Sequence, residues 1–391
     1  MSSRTRVIVM AISAPVIAFA IVGGFLGRVM AGADNPTFQN LKIFDDVVNL
    51  ITTSYVEDVN VDKVMKGAMH GLADGLDADS AYLTVDEVKQ VEGGSAVPAG
   101  GVGLELTRQY YLRVIAARDG SPAAKAGLQT GDYIRMIGDT ATRDMSVWEG
   151  MRALRGAPGT TVKLTVIRGN AQDPHVVELK REAEAPGQVT GRIAAPGVGY
   201  LRIPAMSGAT ASQLKSQTAE LAKQGADRFI VDIRRVSTGA IDDGIAVARV
   251  FVANGTIAIR EAKGGVKETV SAASGDGAIT QPVTLLVDTG TSGAAEVFAA
   301  ALAGNKRADI IGEHTIGRAA VQKLVKLPDG SGLWLSTIRI LTPGGTPLHE
   351  KGLEPTVAVD EPEPTEFGAP RPTADPIMDK ALERLNAKKA A

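Results

Sequence analysis

VTLLVDTGTSGAAEVFAAALAG (283–304) decides how the second half of this chain folds. The run 283–288 is apolar without alternation, as expected of a strand buried on both faces. A turn of small residues follows, and then an alanine-rich helix is expected over about 292–304. Thr291 and Ser292 lie at the corner between the two. That is the layout of a nucleophile presented on a sharp strand-to-helix turn. The same hydroxyls also suit a helix cap, where they would bond the orphan N–H groups of the first turn. The choice between these readings separates an enzyme from a binding protein.

Working outward from this corner, strands alternate with helices. VGYLRI (198–203) leads into a helix over 209–224, FIVDIR (229–234) into a helix near 240–252, and ADIIGE (308–313) forms a further strand. This pattern predicts an α/β core with βαβ crossovers over residues 185–360. GLWLSTIRILTPGG (332–345) reads as the second arm of a hairpin turning at Pro328-Asp329-Gly330. Beyond EPEP (361–364), residues 361–391 form a tail ending in a short amphipathic helix over 375–389. Upstream, residues 97–184 carry short strands (VGLELT, YLRVIAA, YIRMIGD, VKLTVIR, HVVELKR) and one helix in DMSVWEGMRALRG, the signature of a small, partly open β-barrel. Residues 35–96 are helical, with apolar positions at helical spacing in 37–70 and a short helix in VDEVKQVEG. The fold class is therefore multidomain, α/β and β, behind an N-terminal membrane helix.

That helix is read from the first 34 residues. Arg4 and Arg6 precede the uncharged run VIVMAISAPVIAFAIVGGFLG (7–27), close to the roughly 20 residues a ~30 Å hydrocarbon core requires. Positive charge ahead of the run favours a cytoplasmic N-terminus with the bulk of the chain outside the cytoplasm, periplasmic or extracellular. The run exceeds a cleaved signal's apolar region, which favours a retained anchor. Ala31-Gly32-Ala33 leaves the cleaved alternative open. The net charge of −2 gives no basic excess for nucleic acid. There is no cysteine, and no His, Asp or Glu spacing points to a metal. No cofactor is expected.

Three stretches together resemble the carboxyl-terminal processing peptidases, the tail-specific serine–lysine proteases of peptidase family S41. SYVEDVNVDKVMKGAMHGLADGLDADSAYL (54–83) is similar to the family's helical segment and its LDPHSxY signature. GGVGLEL and VIAARDGSPAAKAGLQTGDYIRMIGD, within 100–139, resemble a PDZ domain. GYLRIPAMS, FIVDIRRVSTG, LLVDTGTSGAAEVFAAAL, IIGEHTIGRAAVQ and LTPGGTPLHEKGLEPT fall in the order of the family's core. The resemblance covers residues 40 to 360. It implies a PDZ groove for the C-termini of peptides or proteins. The turn Gly101-Val102-Gly103-Leu104 offers backbone amides to a carboxylate, and the adjoining strand offers an edge for strand addition.

The resemblance also implies where catalysis should sit, and at each place this chain departs. Aligned on Glu296 against GSASASE, the nucleophile position is Gly293. Against GEPTFGKGxVQ, the position of the lysine base is Arg318. A guanidinium stays charged and accepts no proton, whereas serine activation needs an acceptor. The aspartate of some members falls at Gly304, and Thr238 takes the first glycine of the turn that forms the oxyanion hole. The expectation is a catalytically degenerate homologue binding peptides or proteins, with Trp148 and Trp334 as packing residues. It would act as an adaptor or scaffold, or as a homo- or hetero-oligomer with an active paralogue. The alternative is an active endopeptidase in which Ser292 is a relocated nucleophile and His314 its base, oriented by Asp232 or Glu313. In a helix starting at 292, a one-residue shift turns a side chain by about 100°, which disfavours that alternative.

Overall fold

The computed structural model describes residues 36–93, 98–169, 173–183, 187–362, 366–367 and 373–390. The expected membrane segment over 7–27 lies outside the described residues. Among those described, no helix is long and apolar enough to cross a membrane. The chain divides into two compact units, Met1–Met69 and His70–Ala391. The first contains α1 (Pro36–Ser54) and the start of α2 (Val61–Asp74), the two helices expected from the apolar spacing.

The second unit opens with β1 (Ala81–Leu83) and α3 (Val85–Glu92), and then builds the small β domain. There β2 (Gly100–Gly101) pairs with β9 (Glu182–Ala183) at the base. The main sheet runs in the order β3 (Leu104–Gln109), β4 (Tyr111–Ala117), β5 (Tyr133–Ile137), β7 (Thr161–Ile167) and β8 (His175–Lys180), with β6 (Thr140–Ala141) beside β5. All five strands expected from the sequence are present. Two helices, α4 (Pro122–Lys125) and α5 (Val147–Ala153), cover the sheet. Leu106, Leu112, Val114, Ile134, Leu164 and Val166 form the interior and are fully buried. A Cβ on Gly150 would lie 2.1 Å from Leu112 Cδ1, so glycine is what lets α5 settle onto the sheet.

The core sheet has the order β10 (Thr190–Ala195), β11 (Val198–Arg202), β12 (Arg228–Asp232), β15 (Val283–Val287), β16 (Ala308–Gly312) and β19 (Val357–Ala358). It is parallel from β11 to β19, with β10 antiparallel at the edge. The period of two along each strand explains the absence of polar alternation. Phe229, Val231, Val283, Leu285 and Ile310 face one apolar layer, while Ile230, Leu286 and Ile311 face another. The first layer is closed by α6 (Thr210–Lys223), α7 (Ile241–Phe251) and α8 (Ala294–Gly304). The second is closed by the C-terminal helix α9 (Pro376–Ala390), through Ile377, Ala381 and Leu385. Asp375 ties down the start of α9: its carboxylate accepts both arms of Arg234 at 2.8 and 2.9 Å. Arg234 in turn holds Asp232, which also accepts Tyr200 Oη at 2.8 Å. Burial would raise the Asp232 carboxyl, but Arg202 and Arg234 bring it down to about 2. Asp232 is thus committed to a structural network.

A second sheet lies alongside, in the order β1, β18 (Gly332–Leu341), β13 (Thr256–Ala262) and β14 (Val266–Ser271), with β17 (Ala320–Lys326) also on β18. β17 and β18 form the expected hairpin. Through β1, residues 77–83 join this sheet, with Ala81 opposite Trp334.

Candidate functional site

The corner after β15 is built from below. Glu296, in the first turn of α8, is fully buried and accepts four hydrogen bonds. Gly293 N–H (2.9 Å) and Arg318 N–H (2.9 Å) donate to Oε2, and Gly317 N–H (2.6 Å) and Thr315 Oγ1 donate to Oε1. Burial raises its pKa, and the four donors oppose that rise. One carboxylate therefore fastens the start of α8 to the loop before β17, which brings Gly293 and Arg318, the positions at which the resemblance expects nucleophile and base, to one place.

α8 begins at Ala294, later than expected, with Gly293 as its cap residue. The expected hydroxyl cap is therefore corrected. Glu296 supplies the cap by reaching back to the Gly293 amide. Thr291 turns inward instead: it accepts the Asp288 N–H at 3.1 Å and donates to Ile233 O or to the Asp288 carboxylate. Ser292 is buried, its N–H donates to Val236 O at 2.9 Å, and its hydroxyl forms no hydrogen bond among the described residues. Because Ser292 precedes the helix, the 100° rotation does not apply to it. Ser292 and Gly293 both line one cleft of about 890 Å³.

Gly293 sits at φ 60° and ψ −118°, a conformation that costs side chains with a Cβ about 1–3 kcal/mol. It is the sharp, strained kind of turn on which a nucleophile is presented. A Cβ there would meet nothing closer than Arg318 O at 3.8 Å. The backbone shape and the space for a side chain are present, and the side chain is not.

Arg318 also lines the cleft. Its Nε donates to Asp79 Oδ1 at 2.9 Å, Nη2 bonds the same carboxylate, and Nη1 donates to Leu106 O in β3 at 2.9 Å. Burial works against its charge, and Asp79 more than restores it. Asp79 was not singled out from the sequence, though a signal was available. It stands where LDPHSxY carries histidine, just as Arg318 stands where the core motif carries lysine. The two departures meet as one ion pair. Beside it, Asp77 orders the turn by accepting Asp79 N–H (2.9 Å) and Ser80 N–H (2.7 Å) and faces His349 Nε2 at 3.5 Å.

The remaining expected positions separate. His314 is half exposed and faces Glu354, with Nε2 3.7 Å from Oε2, and no hydrogen bond joins it to Ser292 among the described residues. Glu313 accepts the amides of Thr289 and Glu361. The Ser292–His314 pair therefore lacks the contact that triad chemistry needs. A Cβ on Gly304 would lie 2.7 Å from the Pro343 ring, leaving no room for an aspartate in this packing. Thr238 Oγ1 is buried without a partner, as is Ser237 Oγ at the cleft wall. Trp148 and Trp334 do more than pack, since both line the cleft. Among the described residues, no cluster of His, Asp or Glu could hold a metal ion.

The expected carboxylate turn of the β domain is buried and is held through its carbonyls. Gly101, Val102, Gly103 and Leu104 are all buried, and the Val102 and Gly103 carbonyls accept from Ala123 N (3.0 Å) and Arg118 N (2.8 Å). Gly103 has φ 74°, with Ser121 filling the space of its missing Cβ. Three further contacts bring this domain against the core. Arg202 Nε donates to Asp119 at 2.8 Å, Gly290 packs under the Ile115 carbonyl, and Arg318 reaches Leu106.

Residues 197–359 match the model of peptidase family S41, and residues 113–168 match that of a PDZ domain. A carboxy-terminal-processing protease of Bartonella bacilliformis is 28% identical over 365 residues, covering 90% of this chain and 84% of that protein. Carboxy-terminal processing protease CtpA of Bacillus subtilis is 29% identical over 363 residues, covering 91% and 77%. Among solved structures, the photosystem II D1 C-terminal processing protease superposes with a TM-score of 0.67 at 27% identity, covering 81% of this chain and 92% of that one.

Proposed function

This chain belongs to peptidase family S41, and we propose that it works without peptide-bond cleavage, binding extended segments of other polypeptides in its PDZ domain and in the adjoining cleft. The observation that carries this reading is the pair Gly293 and Arg318. The strained corner has no attacking atom, and the group in the base position is a guanidinium already paired with a carboxylate. Hydrolysis would require an oxygen to attack the carbonyl carbon and a neutral acceptor to take its proton. What remains is suited to binding: two tryptophans, Met151, Arg152 and unpartnered hydroxyls along one cleft. The protein is held at the outer face of the cytoplasmic membrane by residues 7–27. It serves there as an adaptor or scaffold, alone or joined to an active paralogue.

One observation favours a second reading. Ser292 lines the cleft with its hydroxyl unengaged, and the relatives are named as proteases. In that reading the chain cleaves proteins at or near their C-termini, with Ser292 as nucleophile. Incubating the purified full-length chain in detergent with casein separates the two. We expect no fragments from wild type. The double variant Gly293→Ser/Arg318→Lys tests whether restoring both groups is enough to recover cleavage. Fragments from wild type that vanish in Ser292→Ala would overturn the non-catalytic reading.

A further inference from the structure

The free edge of the PDZ sheet is occupied by the core. Among the described residues, β3 is the end strand and pairs only with β4. Leu106 stands opposite Val114, and Val114 directs both its backbone groups the other way. Its N–H donates to Asp132 O and its C=O accepts from Gly131 N, both at 2.8 Å. In an antiparallel ladder such a facing pair exchanges no hydrogen bonds, so the N–H and C=O of Leu106 point outward from β3. The outward carbonyl accepts Arg318 Nη1 at 2.9 Å. The rest of that guanidinium is held by Asp79, whose side chain is only 8% exposed.

We propose that Arg318 is an internal competitor for strand addition on β3. A peptide pairing with this edge needs the Leu106 carbonyl for one of its own backbone N–H groups, and it gains that acceptor only by removing Nη1. The ligand class is an extended polypeptide, with apolar side chains facing Trp148 and Met151 on the cleft wall. Displacing the guanidinium also disturbs its grip on Asp79, in the segment that enters the core through β1 and β18. Occupancy of the PDZ edge and order in residues 77–83 are thus coupled, and the coupling is reciprocal. This inference rests on the peptide-binding reading above and adds its regulation.

The chain has two tryptophans in all, Trp148 and Trp334, and both line the cleft, so intrinsic fluorescence reports on it directly. The probe is a short synthetic peptide without tryptophan, ending Val-Ala-Ala with a free carboxylate, titrated into the full-length chain in detergent. Arg318→Met should bind it roughly ten- to hundredfold more tightly than wild type, the worth of one hydrogen bond from a charged donor. Arg318→Lys, whose single ammonium cannot hold Asp79 and Leu106 with separate arms, should fall between. In wild type, the peptide should speed hydrogen exchange in residues 77–83. If Arg318→Met does not fold, the lysine variant and the exchange measurement carry the test. Equal or weaker binding in the folded variants, or unchanged exchange, overturns the competition and leaves peptide binding standing. No binding by any form overturns both.

Discussion

The underside and the open face of one corner differ sharply in how their polar groups are used. Below, Glu296 accepts four hydrogen bonds, and Asp288 accepts the Arg235 amide at 2.8 Å and faces Thr291 at 3.0 Å. Above, Ser237 and Ser292 line the cleft with hydroxyls that have no hydrogen-bond partner among the described residues, and Gly293 has no side chain. The hydrogen-bonded frame that sets Gly293 beside Arg318 is complete, while the face it presents to the cleft carries few engaged polar groups. The shape of a site and its reactive atoms are therefore separable properties, held by different residues.

Substitutions can break that contrast from either side. Glu296→Ala should have the largest effect, because it strands four buried donors. The expected loss is about 4–5 kcal/mol or failure to fold, read from the denaturant midpoint. A loss below about 1 kcal/mol would mean that the underside is not what holds the corner.

Gly293→Ser should come next. Nothing obstructs the new Cβ, so the cost is backbone strain alone, about 1–3 kcal/mol. A much larger loss in thermal stability would mean that the space beside Gly293 is filled.

Asp288→Asn should be the mildest, with an effect that depends on pH. Burial raises the Asp288 carboxyl to about 6, well above its unfolded value. The folded protein therefore binds a proton that the unfolded chain has lost between pH 4 and 6, and the penalty of burying the charge is complete above pH 6. Wild type should gain on Asp288→Asn as pH falls from 7 to 5, by about 1.3 kcal/mol, a little under half of what the whole interval between the two pKa values would yield. Melting curves for both proteins at both pH values would show it, and a constant difference would remove Asp288 from the account.

Much of this was legible in the chain itself. The strands 229–234 and 283–288 are buried on both faces, and their unbroken apolar runs report that directly. The PDZ strands were legible for a different reason, through their glycine and aspartate punctuation. The corner was less legible. α8 starts at Ala294 because a carboxylate in its own first turn supplies the cap, and sequence spacing cannot separate that from a hydroxyl cap at 291 or 292. The Asp79–Arg318 pair joins residues 239 positions apart, so no local pattern could connect them. The cleft-lining role of the two tryptophans was hidden for the same reason: α5 and β18 meet only through tertiary packing.

The fixing of α9 bears on how the core tolerates truncation. Here the last helix seals one face of the central sheet through Ile377, Ala381 and Leu385, and its first residues are anchored by Asp375 on Arg234. That helix is thus a structural part of the core and not an appendage to it. Losing it would uncover the apolar layer formed by Val198, Ile230, Leu286 and Ile311, an exposed patch of the kind that drives self-association.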